Sequence, residues 1–318
     1  MFKISSFDDC SILVTGGNGA VGCNLVKTLL TSSAKVVVLD DFSQSSAKNL
    51  PFHKNLKIIR GNINDEKILK KTFAKKYDYI FHLAARFANE LSVKNPLEDL
   101  NVNTRGTLQV LLHAAKQNPT KFIYTSSSSL YGSQTANSFK ETLYPNPSTP
   151  YAASKLSAEH YCNAIHQLYG LNYTIVRLSN SYGPYDPPGK FRNVTPNFFE
   201  AAINGNNLVI TGNGNETRDF TFVSDTVNGI LLAASKKSAS NQIFNLGTGK
   251  ETKILKIAKI ILDITKSNSK ILFKPRRSFD HITRRKMDIS KARNLLGYFP
   301  EVDLEDGLKI TYDWFSNR

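Results

Sequence analysis

The chain has 318 residues, 41% of them hydrophobic, which is ample for a buried core, and no apolar run is long enough to span a bilayer. A formal charge of +15 attracts anions. The basic residues are spread along the chain without an RNP, zinc-finger or helix-turn-helix pattern, so neither nucleic acid nor a membrane is expected as partner.

The first ten residues mix Lys3, Asp8 and Asp9 with apolar residues and do not read as a signal peptide, so a cytoplasmic location is expected. Six short apolar runs then predict strands: Ile12–Thr15, Lys35–Leu39, Leu56–Arg60, Tyr79–Leu83, Lys121–Thr125 and Tyr173–Leu178. They are rich in Val, Ile, Phe and Tyr, as strands covered on both faces should be. Helical patterns lie between them at Val21–Leu30, Asp65–Ala74, Asn103–Lys116 and Tyr151–Tyr169. Strand alternating with helix implies an α/β fold, a doubly wound parallel sheet whose strand C-termini gather at one edge. After Ser179 the pattern loosens into loops such as Asp186-Pro187-Pro188-Gly189 and Gly212-Asn213-Gly214. Leu208–Thr211 and Ile243–Leu246 read as strands of either half. Cys10, Cys23 and Cys162 are scattered and the six histidines have no ligand spacing, so no disulfide frame and no metal site is expected.

Chemistry enters at Ile12-Leu13-Val14-Thr15-Gly16-Gly17-Asn18-Gly19-Ala20-Val21-Gly22, an apolar strand running through a Gly-rich turn into a helix. Gly16 permits the tight turn, Gly19 lets the backbone approach a diphosphate, and Gly22 lets the helix pack on the strand. This predicts a dinucleotide cradle on a Rossmann-type sheet. The second strand ends at Asp40, where a carboxylate accepts from the adenosine ribose and repels a 2′-phosphate, favouring NAD over NADP. Further on, Lys121–Thr125 leads into Ser126-Ser127-Ser128-Ser129, and Tyr151-Ala152-Ala153-Ser154-Lys155 opens a long helix. Tyr151 and Lys155 share one helix face, where an ammonium is expected to lower the phenol toward working pH. A Ser127 hydroxyl both donates to and accepts from a substrate oxygen.

Gly turn, Asp40, Ser strand and Tyr-x-x-x-Lys in this order resemble the extended short-chain dehydrogenase/reductases, in particular the NAD-dependent sugar-nucleotide epimerase/dehydratase group. The resemblance covers nearly the whole chain. It implies that Gly61-Asn62-Ile63 is the adenine-contacting turn, with Asn62 where an Asp is usual. It also implies that Leu83-Ala84-Ala85 lies along the cofactor and that Asn103 contacts it. In the second half it implies substrate contacts from Asn180, from Asn193 and Val194 at a helix start, from Arg218 on the diphosphate, and from Arg277. Residues 1–178 are then mainly the NAD-binding domain. Residues 179–318 are mainly a smaller C-terminal substrate-binding lobe, with about 208–247 able to return to the sheet. A homodimer is the expected assembly.

Within that group, dehydratases and decarboxylases place carboxylates beside the catalytic Ser or Thr. Here those positions are Ser128 and Ser129, and a hydroxyl does not replace a carboxylate in acid–base work at neutral pH. The resemblance therefore implies a 4-epimerase acting on a nucleotide-diphosphate sugar. In that reading Tyr151 takes the proton of the C4 hydroxyl, Ser127 bonds the same oxygen, Lys155 holds the nicotinamide ribose, and a transient ketone is re-reduced on its other face. The alternatives are a reductase of a keto-deoxysugar nucleotide, which uses the same trio, and a non-catalytic dinucleotide-binding protein, which has no need of it.

Overall fold

The computed structural model describes residues 4–45, 49–87, 89–134, 136–280 and 282–317. Six strands follow one another through the first half: β1 (Ser11–Thr15), β2 (Lys35–Asp40), β3 (Leu56–Arg60), β4 (Tyr79–His82), β5 (Lys121–Ser127) and β6 (Tyr173–Leu178). Between them lie α1 (Ala20–Leu29), α2 (Glu66–Thr72), α3 (Asn89–Lys94), α4 (Pro96–Leu100), α5 (Thr107–Gln117) and α6 (Pro150–Tyr169). The second half contributes β7 (Asn180–Tyr182), α7 (Val194–Ile203), β8 (Leu208–Thr211), β9 (Thr217–Arg218), β10 (Phe220–Phe222) and α8 (Val223–Ser235). It continues through β11 (Gln242–Leu246), β12 (Thr252–Lys253), α9 (Ile254–Thr265), β13 (Ile271–Lys274), α10 (Ser290–Leu296) and α11 (Leu304–Ser316).

Seven strands form one parallel sheet in the order β3-β2-β1-β4-β5-β6-β11. Alternate side chains feed separate cores on its two faces. Ile12, Val14, Val36, Val38 and Phe81 point to one core, and Leu13, Val37, Leu39, Ile80 and Phe122 point to the other. That period of two is why apolar runs without polar alternation become strands here: both faces are covered. The two strands of ambiguous placement part company. Gln242–Leu246 joins the sheet edge beside β6, in register Phe244 to Val176, whereas Leu208–Thr211 pairs with β13 away from it.

Helix ends follow local chemistry. Asp65 caps α2 by accepting from the N–H groups of Lys67 and Ile68. Thr149 caps α6 with Pro150 in its first turn, and Gly170 closes it in the left-handed region. The helix expected over Asn103–Lys116 is longer and not uniform. It runs from α4 through a π-helical turn at Asn101–Gly106 into α5. A buried ion pair stitches β6 to α6: Arg177 donates to Glu159 from Nε at 3.0 Å and from Nη2 at 2.7 Å. Arg177 also donates to the Tyr131 hydroxyl, which donates to Asn245 on β11. The C-terminal ends Thr15, Asp40, His82, Ser127 and Leu178 therefore meet at one edge, and the loops beyond them carry the candidate site.

Candidate active site

At the end of β1, Gly16 has φ +71°, and a Cβ there would lie 2.5 Å from the Ala84 backbone nitrogen. A Cβ on Gly22 would lie 2.2 Å from the Gly16 carbonyl oxygen. Only glycine lets the turn lie against the Leu83–Ala85 loop with α1 beginning directly beneath it. No side chain caps α1 at Gly19, so its first N–H groups are left for an anion. Asp40, at the end of β2, accepts from the N–H groups of Asn18 at 2.9 Å and Phe42 at 2.8 Å. Burial pushes its carboxyl upward and these two donors oppose that shift. Asn62 donates to Asp41 and accepts from the Asn64 N–H, so both ends of its amide are engaged by protein.

The start of α6 meets the end of β5. Lys155 Nζ donates to the Thr125 carbonyl at 2.9 Å. The Tyr151 N–H donates to Ser92 Oγ at 3.1 Å, and Ser127 Oγ accepts from the N–H and the hydroxyl of Ser129 at 3.1 and 2.9 Å. Phe87 packs edge-on against the Tyr151 ring. The electrostatics differ from the expectation that Lys155 lowers the Tyr151 phenol. Lys155 Nζ is 6.0 Å from the Tyr151 ring centre and is turned to the Thr125 carbonyl. Burial therefore dominates and pushes the phenol well above its usual value; the Asp99 charge adds to this and a hydrogen bond with Ser127 opposes it. Burial also pulls the Lys155 ammonium down to about 8, against the opposing charges of Asp99 and Glu159.

These elements enclose a cavity of about 400 Å³. Gly16, Gly19, Ala20, Val21, Gly22 and Asp40 line one end of it, together with Asn62 and Ile63. Leu83, Ala84 and Ala85 lie along it, and Ser127, Tyr151 and Lys155 converge on it further in. Asn180 and Asn193 close it from the second half of the chain. Four polar atoms of residues on the wall, Ser126 Oγ, Asn180 Oδ1, Arg86 Nε and Arg285 Nε, are buried without a protein partner among the described residues. The glycine turn, the uncapped helix start and these orphan atoms fit an elongated phosphate-bearing ligand such as a dinucleotide.

Asn103, Val194, Arg218 and Arg277 do not line this cavity. Asn103 is fully buried and its amide is spent on protein: Oδ1 accepts from the Arg86 N–H, and Nδ2 donates to the Arg86 carbonyl and to Asp99. It shapes the loop along the cavity rather than facing into it. Val194 starts α7 just behind Asn193. Arg218 donates to the Thr217 carbonyl and pairs with Asp280 at 3.5 Å. Arg277 reaches across to Glu90 on α3 at 3.3 Å, with 45% of its side chain exposed.

Arg285, in contrast, is buried and lines the cavity. Among the described residues it makes no hydrogen bond or ion pair, and burial pulls its guanidinium down to about 9, with the Arg218 charge adding to that shift. A signal for it existed in the sequence. Arg285, Met287 and Ile289 alternate with Lys286 and Asp288, so the two apolar members imply that Arg285 points inward as well. Its neighbour Arg284 is exposed and pairs with Glu251.

Residues 12–247 match the sequence model of the NAD dependent epimerase/dehydratase family. The chain is similar to a UDP-glucose 4-epimerase of Mycolicibacterium smegmatis, 34% identical over 96% of this chain and 98% of that one. It is similar as well to a UDP-N-acetyl-alpha-D-glucosaminuronate decarboxylase of Bacillus cytotoxicus, 33% identical over 95% of this chain and 97% of that one. Among solved structures, an epimerase from Methanothermobacter thermautotrophicus superposes with a TM-score of 0.97 at 41% identity, covering 99% of this chain and 94% of that one.

Proposed function

Because the chain belongs to the NAD dependent epimerase/dehydratase family, an enzyme family that uses NAD, we propose that it inverts C4 of the sugar in a nucleotide-diphosphate sugar. One observation carries this reading. Tyr151, Lys155 and Ser127 share a cavity with the glycine turn, and the positions beside Ser127 bear only the hydroxyls of Ser128 and Ser129. The carboxylates on the cavity wall are Asp40 and Asp41 at the far end, Asp186, and Glu98, which is paired with Arg86. None of them sits on the Ser127 segment, where a dehydratase or decarboxylase needs an acid or a base. The site is suited to moving a proton on and off one sugar oxygen and to little else.

When bound, NAD supplies a hydride acceptor and donor. The Gly16–Gly22 turn and the α1 N-terminus hold its diphosphate, Asp40 its adenosine ribose, and Lys155 its nicotinamide ribose. Tyr151 exchanges the proton of the C4 hydroxyl, and Ser127 donates to the same oxygen while its own position is fixed by Ser129. A phenol of raised pKa holds its proton tightly, so Tyr151 takes the C4 proton readily as phenolate but reaches that phenolate only if positive charge stands near; Lys155, 6.0 Å from its ring centre, provides that charge. The half of the chain from 179 to 318 acts as the substrate lobe. Asn180 and Asn193 bond the nucleotide sugar, and Arg285, backed by Arg218, neutralises its diphosphate through directed N–H bonds. Exposed Leu97, Leu100, Tyr161, Leu168 and Tyr169 on α4 and α6 supply the surface for a homodimer.

The test is incubation of the purified protein, without added cofactor, with UDP-, dTDP-, GDP- and CDP-hexoses, followed by NMR of the products. A C4 epimer from one of them is expected. A 4-keto-6-deoxy sugar, or carbon dioxide from a nucleotide hexuronate, as the main product overturns the reading.

A further inference from the structure

Asp99, in α4, lies outside the cavity wall and is 1% exposed. Its Oδ1 accepts from the Ser154 hydroxyl at 2.6 Å and its Oδ2 from Asn103 Nδ2 at 2.9 Å. Both partners are neutral, so the buried carboxylate has no cation bonded to it. Ser154 immediately precedes Lys155 and is three residues after Tyr151, whose carbonyl its hydroxyl also reaches at 3.0 Å. Asn103, the second partner, fastens the Arg86 backbone on the loop that carries Ala84 and Ala85. One carboxylate thus holds the first turn of α6 and the loop along the cavity at the same time. The π-helical turn at Asn101–Gly106 follows directly, and it swings Asn103 into line with Asp99.

The charges around this group single it out. The carboxylates acting on Lys155 are Asp99 and Glu159. Glu159 is already neutralised by its two bonds to Arg177. Arg86, the other cation near Asp99, is committed to Glu98. The remaining ionisable groups in this pocket of charge are buried and neutral: burial pushes the acids of Tyr151, Tyr124 and Cys162 upward, and burial, with the Lys155 charge adding to it, pulls the His82 imidazole down to about 3. Asp99 and Lys155 are left without a bonded ionic partner among the described residues; burial pushes the Asp99 acid up, and the Ser154 and Asn103 hydrogen bonds together with the Lys155 and Arg86 charges oppose that.

We propose that Asp99 is a positioning residue for the reaction: through Ser154 and Asn103 it sets Tyr151 and Lys155 against the cavity, and it is the buried counter-charge of the Lys155 ammonium. This rests on the assignment of Tyr151 as the group that exchanges the substrate proton. The sign of its effect follows from Coulomb's law. A negative Asp99 favours the Lys155 ammonium and disfavours a Tyr151 phenolate. Removing that charge lets both groups lose their protons at lower pH.

Asp99→Asn tests this, because the amide can donate to Ser154 Oγ while its oxygen still accepts from Asn103, so the hydrogen bonds survive and only the charge is lost. The holoenzyme as purified is assayed for turnover across pH, and the ε-methylene of Lys155, identified by comparison with Lys155→Met, is titrated by NMR. Both limbs of the kcat profile are expected to move to lower pH by about one unit or more, and the Lys155 midpoint to fall with them. Asp99→Ala adds a loss of kcat larger than any change in KM, because the geometry goes as well as the charge. A variant Asp99→Asn with an unmoved pH profile and an unmoved Lys155 midpoint overturns the proposal, even if it is less stable. Failure of the underlying assignment reads differently: Tyr151→Phe then keeps its turnover, while the Lys155 midpoint still reports whether Asp99 is its counter-charge.

Discussion

The Lys155 ammonium donates to the Thr125 carbonyl across 2.9 Å, tying the second turn of α6 to the last residues of β5. That bond joins two segments far apart in sequence and brings Tyr151 and Ser127 to one wall of the cavity. The trio is therefore a product of strand–helix packing: β5 ends in Ser127 because it is buried up to that point, and α6 begins at Pro150 because Thr149 caps it. Its chemistry is set by burial as much as by charge, as the upward push on the Tyr151 phenol makes plain.

Removing that phenol gives the first prediction. Tyr151→Phe is expected to lower kcat by about two to four orders of magnitude. Retained NAD, measured by release on denaturation, should be close to that of the parent, because the glycine turn and Asp40 are untouched. Turnover near that of the parent would mean that another group exchanges the proton.

Asp40 is expected to set cofactor choice. NAD⁺ should bind more tightly than NADP⁺, and Asp40→Ala should narrow the ratio of the two affinities by about tenfold, or about 1.4 kcal/mol. Both affinities should also drop, since Asp40 holds the Asn18 and Phe42 backbone as well. Calorimetric titration of both dinucleotides into cofactor-free protein decides it, and tighter NADP⁺ binding by the unmodified protein contradicts it.

For substrate anchoring, Arg285 is expected to matter more than Arg277. Arg285→Ala should cost about 2–5 kcal/mol of nucleotide-sugar binding, because its guanidinium is desolvated and unpaired until an anion arrives. Arg285→Lys should recover only part of this, lacking the planar fork. Arg277→Ala should lose far less, since it mainly breaks an exposed pair with Glu90. Titration with a UDP-sugar in which Arg277→Ala proves the more damaging change would place the anion elsewhere.

The pH dependence of stability should report Asp186. Burial pushes its carboxyl up to about 6, from an ordinary 3.8. Below about pH 4 the acid is neutral in folded and unfolded chains alike and contributes no difference. Between about 4 and 6 the folded chain binds the extra proton, so stability falls as pH rises through that window. Asp186→Asn is thus expected to match the parent near pH 4 and to exceed it by about 1–3 kcal/mol at pH 7.5, by urea unfolding. An equal or lower stability of the variant at pH 7.5 would show that Arg192 and Asn193 compensate the charge fully.

Much of this site was legible in the chain because its parts are local. The Gly16–Gly22 turn needs glycine for reasons of backbone geometry, Tyr151 and Lys155 share a face by helical spacing, and the strands announce themselves as apolar runs. What was not legible depends on contacts between distant segments. Asn103 looks like a cofactor residue until the π-helical turn directs its amide to Arg86 and Asp99. Five basic residues crowd positions 276–286, and their sorting is set by carboxylates elsewhere: Glu90 draws Arg277 away, Glu251 takes Arg284, and Arg285 is left facing the cavity. The lowering of the Tyr151 phenol by Lys155, expected from spacing alone, fails because spacing does not reveal how deeply both groups are buried.

Inversion of C4 without net oxidation is tested most directly by isotope. A nucleotide hexose carrying deuterium on C4, UDP-glucose first and the other nucleotides in turn, is incubated with the protein in ordinary water without added cofactor, and the epimer is analysed by proton NMR. The account predicts a C4 epimer that keeps its deuterium on C4 and gains no solvent hydrogen at any ring carbon. An epimer inverted at another carbon, or one whose C4 deuterium has been replaced from solvent, would contradict it.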